Sequence, residues 1–354
     1  MTTTMIESSS ALRRITLRLI NGEHLGRAEA GEFLDALLGP AATDAQIAAA
    51  LIALATKGET AEELAGMAEA MRERAIQINS RHTRFIDTAG TGSSAAKTFN
   101  VSTAAAFVIA GAGLPVAKHG SRAATSRCGS ADLLEMLGVN TAASPAIVER
   151  CLNEHGICFI FAPLFHRPTA RVARVRRELG VHTTFNLLGP LTNPAHPPFQ
   201  VIGVWHHSLL EPVSSALALL GAKNAWVVNG SDGLDDVTLA GETFVAACRG
   251  NGATVKTLTI VPEEFGVARR SLDHIRGGGP AENVQLVRAI LGGEKNKEVA
   301  VARDLVIINA AAALHVAGVA HDLREAAALA RDSIDNGCAL AKLDALVRET
   351  NRKS

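Results

Sequence analysis

The pattern of apolar positions divides the chain into a helical first part and a mixed remainder. Up to about residue 80, apolar residues recur every three to four positions, as in DAQIAAALIALATKG at 44–58 and AEELAGMAEAMRERAIQI at 61–78. This spacing predicts amphipathic helices. Thr60 followed by Glu63 matches a capping box, which predicts a helix that begins near residue 61. No strand pattern is found in this segment, so residues 1–80 are predicted to form a small domain of packed helices.

After residue 80, short apolar runs alternate with helical stretches. The run RFIDTAGTG at 84–92 indicates a β-type segment that ends in glycines, and FNVSTAAAFVIAGAG at 99–113 indicates a helix. Further helices are predicted at 130–138 and 144–156, the second of which has proline in its first turn. Further strands are predicted at 157–163, 200–205, 224–230, 237–248 and 253–261. Residues 81–354 are therefore predicted to form a larger α/β domain with a mostly parallel central sheet.

Composition and charge narrow the classes of protein that remain. The chain has 354 residues, with 35 basic and 35 acidic side chains and a formal net charge of zero. This balance gives no support for nucleic acid or a membrane surface as a partner. The five cysteines form no CxxC pair and are expected to be buried, reduced thiols. The polar N-terminus and the charges within the apolar stretch at 299–320 predict a cytoplasmic protein.

The segment between Asp87 and Asp132 contains neither aspartate nor glutamate. It holds glycines, many hydroxyl groups and the cations Lys97, Lys118, Arg122 and Arg127. Its start fits G-x-G-x-x-A, a dinucleotide fingerprint, but that fingerprint needs an acid about 20 residues further on, and none is present. A tight turn without a ligand is an alternative. The N–H groups of a helix start, surrounded by donors and no carboxylate, favour a phosphorylated substrate.

A second group of polar residues lies in NGSDGLDDVTL at 229–239. Aspartates beside glycines are common in solvated turns, and that interpretation stays open. The alternative is a magnesium site, because Mg²⁺ uses one or two carboxylates and completes its shell with water and substrate phosphates. The pair Asp235 and Asp236, placed opposite a phosphate-binding loop, would suit a metal–diphosphate substrate.

Several long stretches together resemble the anthranilate phosphoribosyltransferase family. They are DTAGTG, KTFNVSTAAAF, VAKHGSRAATSRCGSADLLEMLGV, VRRELGVHTTFNLLGPLTNPA and DGLDDVTL, and the similarity covers nearly the whole chain. Pyrimidine nucleoside phosphorylases share the architecture but match these stretches less well. The resemblance implies a nucleoside phosphorylase/phosphoribosyltransferase fold whose helical domain is joined by helices near 166–190. It also implies dimerisation through the helical part, phosphoribosyl pyrophosphate and anthranilate as substrates, and Mg²⁺ as the cofactor.

The resemblance also implies roles for individual residues. Donor-binding residues would be Gly90, Gly92, Ser93, Ser94, Thr98, Asn100, Ser102, Thr103, Lys118, His119, Gly120, Ser121, Arg122, Ala123, Ala124, Thr125, Ser126 and Ser130. Acceptor-binding residues would be Gly90, His119, Ser121, His166 and Arg176, where Arg176 would hold the acceptor carboxylate. Metal ligands would be Ser102, Asp235 and Asp236. No side chain is expected to act as nucleophile or base, and Cys128 is expected to serve in packing.

The chain departs from the family pattern at three ligand-contacting places. GTGSS replaces the usual GTGGD, so that Ser93 and Ser94 stand for glycine and aspartate, and Ser121 replaces the asparagine of KHGNR. The aspartate–glutamate pair that usually binds the metal is replaced in this chain by Asp235 and Asp236. Three functions therefore stay open: transfer to anthranilate, transfer to a different aromatic acceptor, and a weakly active or binding-only relative. A lost hydrogen bond to a charged group costs roughly 1.5–3 kcal/mol, which is enough to weaken binding.

Overall fold

The computed structural model describes residues 2–92, 98–123, 128–166, 169–250, 254–273, 275 and 277–352. Its first part consists of the helices α1 (Thr2–Ile20), α2 (Arg27–Leu38), α3 (Asp44–Lys57) and α4 (Ala61–Glu73). Thr60 and Glu63 form the predicted capping box at the start of α4. These side chains satisfy backbone groups that the first helical turn leaves unpaired. The predicted N-terminal helical domain is thus confirmed as a bundle of helices.

A single sheet forms the centre of the second part of the described chain. Its strands are β1 (Ile86–Gly90), β2 (Val116–Gly120), β3 (Ile157–Phe161), β4 (Phe199–Gly203), β5 (Asn224–Gly230), β6 (Thr243–Arg249) and β7 (Lys256–Ile260). Their order is β3-β2-β1-β4-β5-β6-β7. The pairs from β3 through β5 are parallel, and β6 and β7 follow in antiparallel pairing. The predicted mostly parallel sheet is confirmed.

The strand predicted at 237–248 is wrong in its first half, because β6 begins only at Thr243. The backbone N–H of Val237 donates to the side chain of Asn309, and the N–H of Thr238 donates to the hydroxyl of Thr243. These backbone groups are satisfied by side chains, so the apolar residues in this segment pack into the core without joining the ladder of the sheet.

The helices of the second part of the described chain include those that cover both faces of the sheet. They are α5 (Val101–Gly111), α6 (Ser130–Met136), α7 (Pro145–Arg150), α8 (Ala162–Phe165), α9 (Ala170–Leu179), α10 (Thr184–Leu191), α11 (Leu210–Leu219), α12 (Pro280–Leu291), α13 (Lys297–Val316), α14 (Leu323–Asp335) and α15 (Cys338–Thr350). Side chains of a strand alternate between faces. Val201 and Val228 accordingly lie in the core beneath α13, whereas Ile202 and Val227 lie in the core shared with the N-terminal helices.

The apolar stretch at 299–320 lies mainly in α13. By length and composition, α13 could cross a membrane, but 78% of its apolar 18-residue segment is buried inside the protein. Arg303 and Asn309 on this helix are also buried and hydrogen-bonded to Asp335 and Val237. The helix therefore serves as a core element of the α/β part.

Helices α9 and α10 pack against the N-terminal helices. Val172 of α9 and Leu188 of α10 are fully buried in the same core as Phe33 of α2 and Leu51 of α3. Two arginines of α9 also pair with the carboxylate of Asp44. The packing agrees with the expectation that helices near 166–190 join the first domain, and the boundary at residue 80 stays a prediction.

The cysteines are reduced thiols, as expected, but one of them is not buried. Cys128, Cys151, Cys158 and Cys248 lie in the interior, whereas Cys338 is exposed. Cys338 is the first residue of α15, and its position at a helix start on the surface explains its exposure.

Candidate active site

A cleft with a volume of about 430 Å³ opens where β1 and β2 end. The chain leaves β1 toward β2 on one side and returns to β4 on the other, so the cleft lies at a topological switch point. Parallel α/β sheets bind ligands at such points, beyond the carboxyl ends of the strands. The sheet topology therefore places the cleft where a ligand site is expected.

The loop after β1 is shaped by a close backbone contact with β4. Thr91 donates from both its backbone N–H and its hydroxyl to the carbonyl of Gly203, at 2.9 and 3.1 Å. Gly92 then adopts a φ of 69°, in the left-handed region that favours glycine. Its N–H donates to the Asp235 carboxylate at 3.0 Å. The predicted glycine-rich turn thus forms, and it contacts the acidic pair directly.

Lys118 lies beneath the start of α5 and is almost fully buried. Its Nζ donates to the carbonyl of Thr88 at 2.6 Å and to the hydroxyl of Ser102 at 3.3 Å. Burial lowers the pKa of Lys118, and the nearby charges of Asp87 and Asp236 oppose that shift. A buried ammonium between these groups supplies positive potential to the part of the cleft that Ser102 lines.

The acidic pair reaches the cleft because two glycines leave room for it. A methyl group on Gly203 would lie 1.6 Å from the backbone oxygen of Asp235, and one on Gly90 would lie 3.0 Å from its carboxylate. Burial and the neighbouring charge of Asp235 raise the pKa of Asp236 well above its ordinary value. A buried carboxylate beside a second carboxylate is stabilised by a bound cation, so the pair fits Mg²⁺.

Few side chains near Asp235 and Asp236 could coordinate a metal ion. Within the described residues, no group of three or more histidine, cysteine, aspartate or glutamate side chains could hold a metal ion. Two carboxylates and the Ser102 hydroxyl would leave several coordination positions to water and substrate oxygens. That pattern is typical of Mg²⁺ bound together with a phosphorylated substrate.

Arg176 of α9 lies on another wall of the same cleft. Its Nη2 donates to the side-chain oxygen of Asn186 at 3.1 Å, and its guanidinium lies 5.5 Å from the centre of the Phe185 ring. Its Nε is buried and has no hydrogen-bond partner among the described residues. Burial lowers the pKa of Arg176, but an arginine keeps its charge in proteins. The guanidinium therefore has hydrogen-bonding capacity left for a carboxylate.

Two histidine rings meet in the cleft at an edge-to-face angle, with centroids 5.2 Å apart. Burial lowers the pKa of His119 to about 3 and that of His166 to about 4, so both rings are neutral at pH 7. Nδ1 of His119 faces the carbonyl of Gly189 at 3.0 Å, which can only accept, so Nδ1 carries the proton. The Nε2 atoms of both rings have no partner in the described part of the protein.

The cleft is lined by every site residue expected from the sequence that the structure describes. These are Gly90, Gly92, Thr98, Asn100, Ser102, Thr103, Lys118, His119, Gly120, Ser121, Arg122, Ala123, Ser130, His166, Arg176, Asp235 and Asp236. Ser93, Ser94, Ala124, Thr125 and Ser126 lie outside the described residues. Arg122 is engaged elsewhere, because its guanidinium pairs with Asp132 at 3.0 Å and Glu135 at 2.7 Å.

Sequence reasoning missed Asp87, which supports the site from below. Asp87 is fully buried and accepts from the His119 backbone N–H at 3.2 Å and from the Asn193 side chain at 2.8 Å. Burial raises its pKa to about 6. The sequence did contain a signal for this role: Asp87 lies within a predicted β-type run, and a buried carboxylate needs hydrogen-bond partners in the interior. Asn186, the partner of Arg176, was missed as well, and nothing local in the sequence marks that contact.

Residues 13–75 match the helical bundle domain of the glycosyl transferase family, and residues 82–340 match its a/b domain. The chain therefore belongs to this family of glycosyl transferases. It is 49% identical to the anthranilate phosphoribosyltransferase of Moorella thermoacetica, over 93% of this chain and 96% of that one. The enzyme of the same name from Desulfosudis oleivorans is 48% identical, over 94% and 97%. Within the family, the chain thus belongs to the anthranilate phosphoribosyltransferases.

Solved structures agree with this assignment. The crystal structure of anthranilate phosphoribosyltransferase from Thermus thermophilus has a TM-score of 0.88 and 41% identity, with 95% of this chain and 99% of that chain covered. The enzyme from Saccharomyces cerevisiae in complex with PRPP and Mg has a TM-score of 0.87 and 27% identity, with 96% and 98% covered. The yeast enzyme in complex with 4-fluoroanthranilate has a TM-score of 0.85 and 26% identity, with 97% and 98% covered.

Proposed function

We propose that the protein transfers the phosphoribosyl group of phosphoribosyl pyrophosphate (PRPP) to the amine of anthranilate and releases pyrophosphate, a step of tryptophan biosynthesis. The observation that carries this proposal is one cleft with two different walls. One wall combines a glycine-rich loop, a buried lysine and an acidic pair, and the other presents a half-buried arginine whose Nε–H has no partner among the described residues. A diphosphate donor and a carboxylate-bearing acceptor fit these walls.

The donor would bind at the turn between β1 and α5. Asn100, Ser102 and Lys118 line this part of the cleft and carry side-chain donors. The N–H groups at the start of α5 add the positive end of a helix dipole. The dense set of donors suits an anion with several phosphate oxygens.

Asp235, Asp236 and Ser102 would hold Mg²⁺ together with the diphosphate. Their donor set fits the ion, and burial together with the charge of Asp235 raises the pKa of Asp236, a shift that a bound cation would oppose. When bound, the ion would neutralise charge on the diphosphate and help pyrophosphate to leave. The yeast relative has been solved with PRPP and Mg, which supports this assignment.

The acceptor would bind between Arg176 and the paired histidines. Arg176 would take the carboxylate of anthranilate, and Asn186 and Phe185 hold the guanidinium in place. The neutral rings of His119 and His166 offer unpaired Nε2 atoms beside it. Such atoms can accept a hydrogen bond from an aromatic amine without repelling it.

The reaction forms a bond between the amine nitrogen and the anomeric carbon of the ribose while the bond from that carbon to pyrophosphate breaks. Both electrons of the broken bond leave with pyrophosphate, and the amine loses a proton to solvent. Aniline-type amines are neutral at pH 7, so no strong base is required. The chain contributes positioning and positive potential for the departing charge, which are the main sources of catalysis in such sites.

The test is pyrophosphate release measured with PRPP and Mg²⁺, in the presence and absence of anthranilate. Arg176→Gln should raise the KM for anthranilate at least about tenfold, since a hydrogen bond to a charged group is worth roughly 1.5–3 kcal/mol. Arg177→Gln is the matched control, because Arg177 is an exposed neighbour on the same helix. Its kinetics should equal those of the wild type.

Release that depends on anthranilate and weakens only in Arg176→Gln supports the proposal. Binding of PRPP with no release in the presence of anthranilate would overturn it and direct the search to other aromatic acceptors. Removal of Mg²⁺ with EDTA should abolish release, and added Mg²⁺ should restore it. Release that persists in EDTA would contradict the metal assignment.

We also propose that two copies of the chain associate through the N-terminal helices. Leu17 and Ile20 of α1 and Ile52 of α3 are exposed, with relative exposures of 52%, 64% and 37%. Exposed apolar groups on adjacent helices are typical of an interface. Light scattering should give a dimer mass that Ile20→Glu reduces to a monomer, and a monomeric wild type would refute the proposal. A cytoplasmic location is proposed with this assembly.

A further inference from the structure

Asn283 is a buried polar residue in the first turn of α12, and the site assignment above does not include it. Only 4% of the residue is exposed. Its side-chain oxygen accepts from the backbone N–H of Gly278 at 3.1 Å, and its Nδ2 donates to the side-chain oxygen of Asn100 at 3.1 Å. Asn283 thus connects α12 to Asn100, which lines the part of the cleft where the donor would bind.

These contacts fix the orientation of two amide groups. Because the Asn283 oxygen faces a backbone N–H, its nitrogen must face Asn100. Asn100 must then present its own oxygen, and its nitrogen donates to the carbonyl of Cys128 at 3.0 Å. One N–H of the Asn100 amide is left for a ligand, and it belongs to a residue that lines the cleft.

The same contact keeps Asn100 from capping its own helix. Asn100 is the N-cap residue of α5, yet its side chain makes no capping hydrogen bond. Asparagine is among the strongest N-cap residues, since its oxygen ordinarily accepts from the second or third N–H of the helix. Here Asn283 holds that oxygen. In the described part of the chain, the Ser102 N–H, the second of the helix, has no acceptor.

The segment before Asn283 is packed closely enough to keep this arrangement in place. A methyl group on Gly277 would lie 2.1 Å from the carbonyl oxygen of Thr98. The backbone of the α12 entry therefore lies directly against the segment that leads into α5. A small shift of Asn283 relative to Asn100 would require both backbones to move.

We propose that Asn283 is a positioning residue of the donor site: it turns the Asn100 amide so that the N–H of Ser102, in the first turn of α5, stays open to a phosphate group. Without Asn283, the side-chain oxygen of Asn100 can swing to cap α5, where it occupies the N–H of Ser102 and places a negative dipole beside the anion. The inference rests on the proposed function, because it assumes a phosphorylated donor at the start of α5.

The test is the affinity for PRPP with Mg²⁺, measured by calorimetry for four proteins: wild type, Asn283→Ala, Asn100→Ala and the double variant. Asn283→Ala should raise the Kd about tenfold, a change within the range that helix capping supports. In the Asn100→Ala background no side-chain oxygen is left to cap α5. The same Asn283→Ala substitution should then change the Kd by less than about twofold.

The control is Asn296→Ala, which removes an ordinary cap: Asn296 accepts from the N–H of Val299 at the start of α13. It should lower thermal stability and leave the Kd unchanged. Equal losses of affinity from Asn283→Ala in both backgrounds would show a purely structural role and overturn the proposal, as would an unchanged Kd in the single variant. A wild type that fails to bind PRPP would instead refute the proposed function.

Discussion

Gly203→Ala tests the claim that the acidic pair reaches the cleft only because β4 ends in a residue without a side chain. Gly203 is the last residue of β4 and pairs with Gly90 of β1. A methyl group at this position would lie 1.6 Å from the backbone oxygen of Asp235 and 2.4 Å from its carbonyl carbon. The contact is with backbone, so rotation of a side chain cannot relieve it.

The size of the effect follows from this distance. Real contacts of a Cβ atom are essentially never shorter than 3.0 Å, so the Asp235 carbonyl must move by about 1.4 Å or more. Displacements of about 1 Å in a catalytic site can cost 100-fold in rate. We therefore expect kcat/KM for PRPP to fall by about 100-fold, with a loss of roughly 1–3 kcal/mol in the free energy of unfolding.

The assay is initial rate of pyrophosphate release against PRPP concentration at several Mg²⁺ concentrations, with denaturant unfolding in parallel. Gly66→Ala is the matched control, because a methyl group there would lie 2.0 Å from the backbone oxygen of Arg27, within the N-terminal helices. It should lose comparable stability and keep the kcat/KM of the folded fraction. If Gly203→Ala keeps its kcat/KM within about threefold, the reasoning about this contact is wrong.

Three further substitutions test separate parts of the site. Asn186→Ala removes the partner that orients Arg176, so the KM for anthranilate should rise about tenfold while the KM for PRPP stays constant; an equal rise in both would contradict this role. Burial lowers the pKa of His166 from 6.5 to about 4, so between these pH values only the unfolded chain binds that proton. The free energy of unfolding therefore decreases as the pH is lowered from 6.5 to about 4. In urea titrations, His166→Gln should reduce this decrease in the free energy of unfolding by up to about 1.4 kcal/mol per pH unit. If the dependence on pH is unchanged, the ring of His166 is charged in the folded protein as well, and the argument is wrong. Ser121→Asn restores the amide found in the family pattern and should lower the KM for anthranilate; an unchanged KM would place the acceptor elsewhere.

The elements of the fold were predictable where local pattern and tertiary packing agree. The capping box at Thr60 is present, and the β-type runs predicted at 84–92 and 224–230 contain β1 and β5. The prediction failed at 237–242, where β-branched and apolar residues suggested a strand. Asn309, 72 residues further along the chain, takes the N–H of Val237. A contact at that distance cannot be read from local periodicity.

The sequence predicted which residues belong to the site, but it did not predict which of them contact one another. Resemblance to a family supplied the residues, and the residues that the structure describes do line one cleft. Arg122 shows what was missed: its charge is taken up by Asp132 and Glu135, which lie just beyond the acid-free stretch. Asn283 shows the same limit, because its partner Asn100 lies 183 residues away.

The acid-free stretch and the acidic pair prove to be parts of one arrangement. The family resemblance implies that Gly90 and Gly92 bind the donor, and the missing side chain of Gly90 also leaves room for the carboxylate of Asp235. Carboxylates enter this region from the other half of the sheet, and the buried ammonium of Lys118 lies near Asp236. Burial raises the pKa of Asp87 and, together with the charge of Asp235, that of Asp236, so Lys118 alone does not offset the negative charge of these carboxylates. A diphosphate would therefore add to an excess of negative charge unless a divalent cation arrives with it, which is the physical reason to expect the donor to bind as its metal complex.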